Sequence, residues 1–181
     1  MARALLALVT MIVLVLAAQP AEAAALPSKA VWRADVRQAM RGSDAFIARR
    51  VQQPHARLAI VLDIDNTSIA THYAWPRPVR RTLRFAQHAR SLGYGVFFVT
   101  GRYQDTLPGV RPVLRRAGYP ITGMCGRQHG ERLVHSKQRC RTLISRRGWT
   151  ITANVGNSRT DLIGGSFERG FKLPSYGGQL S

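Results

Sequence analysis

The sequence predicts an α/β fold with a mainly parallel central sheet. Short apolar runs alternate along the chain with amphipathic stretches of helical spacing. These runs are apolar at nearly every position, which is typical of strands that are covered by helices on both faces. Three of the runs end in a cluster of polar residues. Because the carboxyl ends of parallel strands line one crevice, the clusters predict a binding site at one edge of the sheet.

The first residues have the layout of a secretory signal peptide. Met1–Arg3 is weakly basic, Ala4–Ala18 is apolar, and Ala21–Ala23 offers a small-x-small cleavage site. We therefore expect residues 1–23 to be removed and the protein to be secreted or to lie in the periplasm or cell envelope, without a stable membrane anchor. An uncleaved anchor is the alternative, although the run is shorter than the about 20 residues of a full span.

Residues 24–57 are expected to form a helical segment ahead of the sheet. Apolar residues recur at roughly helical spacing from Ser28 to Val51. Gly42 interrupts the pattern, and Ser43 or Asp44 is expected to cap a second helix because short polar side chains accept hydrogen bonds from the first free amides.

Residues 58–181 are expected to form the α/β core, and they suffice for one domain. The predicted strands cover residues 58–64, 96–99, 121–124 and 149–155, and the predicted helices cover residues 76–92, 110–117 and 137–147. From Leu162 onward the chain is rich in glycine, with one apolar patch around Phe171.

Cys125 and Cys140 are the only cysteines. In an exported protein such a pair often forms a disulfide, and two free thiols are the alternative. The sequence contains no CxxC pattern and no Cys/His zinc pattern.

The formal net charge of +18 comes almost wholly from arginine. It allows two interpretations, an anionic partner or a set of solvated helix faces. No basic run is interleaved with aromatic residues, and no nucleic-acid-binding motif occurs. We therefore expect no specific nucleic-acid binding, and attraction of anionic substrates as a side effect of the charge.

An acid pair, Asp63 and Asp65, follows the apolar run 58–62. Side chains alternate along a strand, so the two carboxylates point the same way while the strand stays regular. Phosphoryl transfer through a covalent intermediate needs a nucleophile and a proton donor, roles that suit Asp63 and Asp65 respectively. A hard cation such as Mg²⁺ would relieve the repulsion between them. A structural or metal-only acid pair is the alternative.

Four polar motifs occur in order along the chain. They are Asp63-Ile-Asp65-Asn66-Thr67, Thr100-Gly101-Arg102, Lys137 before a predicted helix, and Gly156-Asn157-x-x-x-Asp161. Together they resemble the motifs of the haloacid dehalogenase-like (HAD) superfamily. The runs Val96–Arg102 and Ser136–Gly156 are similar to secreted HAD-type acid phosphatases of class B and of the plant vegetative-storage type. The similarity spans roughly Arg33 to Gly165 and implies a Rossmann-like three-layer sandwich with a minimal cap domain or none.

The resemblance implies a role for each motif residue. Asp63 would be the nucleophile and Asp65 the general acid and base. Thr100 would hydrogen-bond a phosphate oxygen, and Lys137 would offset charge on the nucleophile and the phosphoryl group.

The resemblance also implies a substrate site and a metal site. Mg²⁺ would be held by the Asp63 carboxylate, the Asp65 main-chain carbonyl and the fourth motif, with Asn157 and Asp161 as its candidates. Asp161 would either ligate the metal, directly or through water, or orient Lys137. The residues expected to contact the substrate are Asn66, Thr67, Gly101 and Arg102.

Asn157 departs from the pattern of the acid phosphatases, which usually have an aspartate after the glycine. An amide oxygen can ligate Mg²⁺ but brings no negative charge, so weaker metal binding is expected. Lipin-type phosphatases of the same superfamily carry a similar Gly-Asn pattern, so the asparagine is compatible with catalysis.

The expected function is therefore that of an exported, Mg²⁺-dependent phosphomonoesterase acting through an aspartyl-phosphate. Its expected substrates are small-molecule phosphomonoesters, with nucleotides among the candidates. Because the segments after Thr67 and Arg102 are too short for a large cap, the open site is expected to accept bulky or varied esters. The alternative is a catalytically weak protein that binds phosphate or serves in storage. Asn157 favours that alternative, whereas the intact acid pair favours catalysis.

Overall fold

A computed structural model describes residues 25–54 and 56–181. The predicted signal peptide, residues 1–23, lies outside this part of the chain. Among the described residues, no helix combines the length and the apolar character needed to cross a membrane.

The centre of the protein is one sheet of five strands. The strands are β1 (Arg57–Leu62), β2 (Gly95–Tyr103), β3 (Gly123–Arg127), β4 (Trp149–Gly156) and β5 (Arg169–Lys172). They lie in the order β3-β2-β1-β4-β5, and every neighbouring pair is parallel. The predicted α/β fold with a mainly parallel sheet is confirmed. β5, which contains Phe171 of the apolar patch, was not predicted as a strand.

Helices cover both faces of this sheet. They are α1 (Lys29–Ala39), α2 (Ser43–Arg50), α3 (Thr71–Ala74), α4 (Arg80–Ser91), α5 (Leu107–Arg116), α6 (Leu133–Arg146) and α7 (Arg159–Leu162), with a 3₁₀ turn at Gln104–Thr106. Alternate residues of β1 enter two separate cores: Ile60 packs in the larger one, and Val61 packs with Cys140 of α6 in the smaller one. Three layers result, as expected when a parallel strand is buried on both sides.

α1 and α2 pack into the larger core through buried residues such as Trp32, Val36 and Ile47. The expected cap of α2 was wrong. Its N-cap is Gly42, which takes the left-handed φ of 76° that favours glycine. Ser43 and Asp44 lie inside the helix, and both accept hydrogen bonds from Arg81 instead.

Two predicted helix starts were also wrong. α4 begins at Arg80 instead of residue 76, because the preceding residues pair with the loop that follows the acid pair: the Val79 amide donates to the Ser68 carbonyl over 2.8 Å. α6 begins at Leu133, so Lys137 lies inside this helix and not before it. Between β1 and α4 the only helix is the four-residue α3, and no separate cap domain occurs in the described chain.

Cys125 of β3 and Cys140 of α6 form a disulfide. This bond resolves the choice that the sequence left open. It ties α6, the helix that carries Lys137, to the sheet. The two cysteines are 15 residues apart along the chain.

Reduction of this disulfide is expected to lower the free energy of unfolding by about 3 kcal/mol, because the bond restricts the unfolded chain over a loop of this length. For a domain of this size the loss corresponds to a fall in Tm of roughly 6 to 12 °C. Thermal unfolding followed by circular dichroism, with and without reductant, measures it. The double variant Cys125→Ser/Cys140→Ser serves as control and should melt low regardless of reductant. An unchanged Tm on reduction of the native protein would contradict the expectation.

Candidate active site

The nucleophile candidate Asp63 lies directly beyond β1, at the edge where β1 stands between β2 and β4. Its amide donates to the Val155 carbonyl over 2.9 Å, so the strand pairing continues to this residue. The chain then turns at once, because the Ile64 carbonyl accepts the amides of Ser68 and Ile69, both at 2.9 Å. Asn66 sits in this turn with a φ of 50°, a value that asparagine tolerates better than most residues. Because of this turn, the residues that follow Asp63 do not continue the strand.

Lys137 is the buried cation of the site. From the second turn of α6 its ammonium donates to Asp63 Oδ1 over 3.3 Å and to Asp161 Oδ1. All three side chains are at least nine-tenths buried. Because an unpaired charge is costly in such surroundings, each member depends on the others for compensation.

Asp161 holds Lys137 and is itself held on both carboxylate oxygens. Oδ1 faces the ammonium, and Oδ2 accepts the Ser158 amide over 2.8 Å as part of the capping box of α7. A Cβ at residue 156 would lie 2.2 Å from Asp161 Cγ, so Gly156 is required by this approach. Both carboxylate oxygens of Asp161 therefore have partners, and one of them fixes the position of the Lys137 ammonium.

Burial raises the pKa of Asp63 above its usual range. The Lys137 charge opposes that shift, whereas the negative charges of Asp161 and Asp65 add to it. Burial by itself would lower the pKa of Lys137, but the charges of Asp63 and Asp161 outweigh it and the pKa is raised. Lys137 thus stays protonated beside Asp63.

Asp65, the second acid, is bound by Arg102 in a two-point contact. Arg102 Nε and Nη2 donate to its two carboxylate oxygens over 2.8 and 2.6 Å, and the Thr71 hydroxyl donates to one of them over 2.8 Å. The bonds to Asp65 raise the pKa of Arg102. The pair is partly exposed, whereas Asp63 is buried, and Arg102 also lies over the Trp75 ring.

The two asparagines of the predicted site meet at one main-chain carbonyl. Asn66 Nδ2 and Asn157 Nδ2 both donate to the Leu180 carbonyl, over 3.0 and 2.6 Å. Asn157 Oδ1 lies 3.4 Å from the Thr67 hydroxyl, which donates to it. This contact brings the first motif and the fourth motif together.

Thr100 and Gly101 belong to β2, the neighbour of β1. Thr100 is buried, and its Oγ1 accepts the Arg102 amide over 3.2 Å. A Cβ on Gly101 would lie 2.9 Å from a methyl of Leu133, so the strand passes close to the start of α6.

Sequence reasoning missed the residues that support this edge. Arg141 is buried and donates to the carbonyls of Asp161, Ile163 and Gly165, which fixes the loop around α7. The amino group of Lys172 donates to the Asn157 carbonyl. No local motif distinguishes Arg141 among the many arginines, and the spacing of four from Lys137 along a helix was the one available signal.

The oxygen atoms of the edge suit a hard cation. In the described part of the chain no three side chains of His, Cys, Asp or Glu converge on a metal position. The reason is that Asp65 turns to Arg102 and Asp161 turns to Lys137. The Asp63 carboxylate, the Asp65 main-chain carbonyl and the Asn157 amide oxygen remain as an all-oxygen donor set, the chemistry that Mg²⁺ prefers.

The fold is similar to that of solved acid phosphatases. The class C acid phosphatase from Bacillus anthracis superposes with a TM-score of 0.68 at 16% identity, over 81% of this chain and 79% of that one. The structure of that enzyme with tungstate bound gives a TM-score of 0.65 at the same identity and coverage. At this identity the likeness shows the fold.

A part of one much larger protein is also similar in sequence. The polyketide synthase GfsA of Streptomyces halstedii is 35% identical over an alignment of 114 residues, and the match covers 58% of this chain. The matched stretch is only 2% of that synthase. The chain therefore spans a small fraction of this relative.

The family comparison covers more than half of the chain. Residues 70–179 match the family described as HAD superfamily, subfamily IIIB (acid phosphatase). The match includes Thr100, Lys137, Asn157 and Asp161 and begins shortly after the acid pair. The chain therefore belongs to the HAD superfamily, in its subfamily IIIB, which is described as acid phosphatase.

Proposed function

We propose that this chain is an exported phosphatase of small phosphomonoesters that uses Asp63 as its nucleophile and Mg²⁺ as its cofactor. The observation that carries the proposal is the buried Asp63 carboxylate with the Lys137 ammonium at 3.3 Å, beyond the central strand. A phosphoryl group brought to this carboxylate would meet a fixed positive charge without further rearrangement.

The proposed reaction has two displacements at phosphorus. An oxygen of Asp63 attacks the phosphorus, the bond from phosphorus to the ester oxygen breaks, and Asp65 gives its proton to the departing alcohol. Water then attacks the phosphorus of the aspartyl-phosphate and passes a proton to Asp65, which releases phosphate and restores Asp63. Lys137 opposes the rise in the Asp63 pKa that burial causes, and it balances the charge of the phosphoryl oxygens.

The contact between Arg102 and Asp65 has a consequence for the first step. A carboxylate whose two oxygens both accept from one guanidinium is not free to turn toward the departing alcohol. We propose that the substrate phosphate takes over the Arg102 guanidinium. The released Asp65 carboxylate then takes up a proton from solvent and gives it to the departing alcohol. The partial exposure of both side chains supports such an exchange.

Mg²⁺ would be held by the Asp63 carboxylate, the Asp65 main-chain carbonyl and the Asn157 amide oxygen. When bound, it would neutralise charge on the phosphoryl oxygens. Asp161 is given the positioning role, since both of its carboxylate oxygens already have partners.

Export and the substrate class rest on further observations. The apolar segment Ala4–Ala18 and the cleavage site after it support export. The tungstate bound by the Bacillus anthracis enzyme is a tetrahedral oxyanion like phosphate, which supports a phosphate site in the shared fold. The net charge of +18 would draw anionic esters to the protein.

The test is hydrolysis of p-nitrophenyl phosphate by the purified mature protein, with Mg²⁺ and after its removal by EDTA. Asp63→Asn is expected to reduce turnover by at least about 10³-fold, because an amide cannot attack the phosphorus. EDTA should abolish turnover, and added Mg²⁺ should restore it.

The matched control is Asp105→Asn, which alters an exposed acid paired with His129 and should leave turnover unchanged. Circular dichroism checks that each variant is folded. Absence of turnover in the native protein from pH 4 to 9, or full turnover in Asp63→Asn, would refute the proposed mechanism.

Arg102→Gln is expected to raise KM for p-nitrophenyl phosphate by roughly 10- to 100-fold, since a hydrogen bond to a charged group contributes about 1.5 to 3 kcal/mol. Steady-state kinetics measures the change, and Arg115→Gln on α5 is the matched loss of one positive charge away from the site. If both variants show the same KM, Arg102 does not bind the substrate phosphate.

A further inference from the structure

The segment that follows β5 returns to the active-site edge. Leu173 and Leu180 are both buried in the larger core. Between them, residues 176–178 all have positive φ values, of 47°, 67° and 94°, and the Ser175 carbonyl accepts the amides of Gly178 and Leu180. This tight turn brings the chain back so that the Leu180 carbonyl reaches Asn66 and Asn157.

The segment is anchored at three further points. The Leu173 amide donates to the Gly156 carbonyl over 2.9 Å, beside the fourth motif. Lys172 Nζ donates to the Asn157 carbonyl and to the Leu173 carbonyl, so it ties the motif to the segment. The Tyr176 hydroxyl donates to Asp35 of α1 over 2.7 Å. The position of the Leu180 carbonyl is thus fixed from the sheet and from α1.

The Leu180 carbonyl decides which way each asparagine side chain faces. An amide has its nitrogen on one side and its oxygen on the other, and a carbonyl attracts only the nitrogen. With Nδ2 on Leu180, Asn157 Oδ1 faces Thr67 in the turn after Asp63. Asn66 Oδ1 likewise faces away and accepts the His72 amide over 2.8 Å.

The same contact explains why an asparagine stands at residue 157. An ionised aspartate has no hydrogen to donate and would place an acceptor oxygen against the Leu180 carbonyl, where Nδ2 now lies at 2.6 Å. Two acceptors at that separation repel, and the buried carbonyl would lose a partner. An amide satisfies the carbonyl and still offers an oxygen to the site.

We propose that the Leu180 main-chain carbonyl is a positioning group of the active site, which orients Asn157 so that its amide oxygen can ligate Mg²⁺. The inference rests on the proposed function in one respect, the role of Asn157 as a metal ligand. In this proposal residues 173–180 support the active site by positioning Asn157. The side chain that is tolerated at residue 157 then depends on the main chain at residue 180.

The experiment is a double-mutant cycle of Asn157→Asp with a chain that ends at Gly177 and therefore lacks the Leu180 carbonyl. In the full chain without Mg²⁺, Asn157→Asp should lower Tm by roughly 3 to 8 °C, because it sets two acceptors against each other. In the shortened chain the same substitution should lower Tm little. An equal fall in both chains would overturn the contact as the reason for the asparagine.

The second readout is the Mg²⁺ concentration that gives half of the maximal rise in Tm. Shortening the chain should raise it at least about 10-fold, as expected for loss of a group that orients a ligand. In the shortened chain, Asn157→Asp should lower it again because a charged ligand binds the cation more tightly. An unchanged half-saturation concentration on shortening would overturn the positioning role.

Leu180→Ala is the matched control, because it removes the buried side chain and keeps the carbonyl. It should lower Tm while leaving the half-saturation concentration unchanged. If the shortened chain fails to fold, Tyr176→Phe loosens the segment in the full chain and should raise the half-saturation concentration by a few fold. No change in that variant would count against the proposal.

These outcomes separate the inference from the proposed function. If no chain responds to Mg²⁺, the proposed metal site is wrong, and the positioning role falls with it. The cycle without Mg²⁺ still decides whether the Leu180 carbonyl excludes an aspartate at residue 157. If all chains respond alike, the metal site stands and the positioning role is wrong.

Discussion

The buried ammonium of Lys137, held between Asp63 and Asp161, is the interaction on which the rest of the site depends. Its two carboxylates and one ammonium carry a formal net charge of −1, which the interior would tolerate poorly without further compensation. A bound divalent cation would turn this net charge to +1. The same cluster that repels a free phosphate would then attract one, so metal and substrate are expected to bind in support of each other.

The fold keeps these charges in place through contacts that lie mostly outside the motifs. The disulfide fastens α6 to β3 at Cys140, close to one turn after Lys137, and Arg141 fastens the same helix to the loop around α7. Gly156 lets Asp161 approach the strand closely enough to meet the ammonium. Since both ends of the Lys137–Asp161 pair are fixed, little reorganisation of the pair would be needed in the proposed attack by Asp63.

Features that depend on residues close together in the sequence could be predicted from it. Features that depend on contacts between residues far apart in the sequence could not. The apolar runs predicted four of the five strands, and the polar residues after them predicted the edge at which the motifs meet. β5 escaped because only Phe171 of its four residues is buried, which leaves no apolar run. The contact between Arg102 and Asp65 and the return of Leu180 to Asn66 join residues 37 and 114 positions apart, and no local pattern marks such pairs.

Asn157 stands where the acid phosphatases usually have an aspartate, and its contact with the Leu180 carbonyl gives a geometric reason for this difference. Seen alone, the amide removes one negative charge from a metal site. Seen with the Leu180 carbonyl, the amide is the side chain of this shape that can donate on one side and accept on the other. A metal bound as proposed would rely for negative charge on Asp63, because Asp65 is paired with Arg102 and both oxygens of Asp161 have partners. A substrate that draws Arg102 away would leave the Asp65 carboxylate without its counter-charge, close to the proposed metal position. The affinity for Mg²⁺ should therefore depend on the Arg102–Asp65 contact as much as on residue 157.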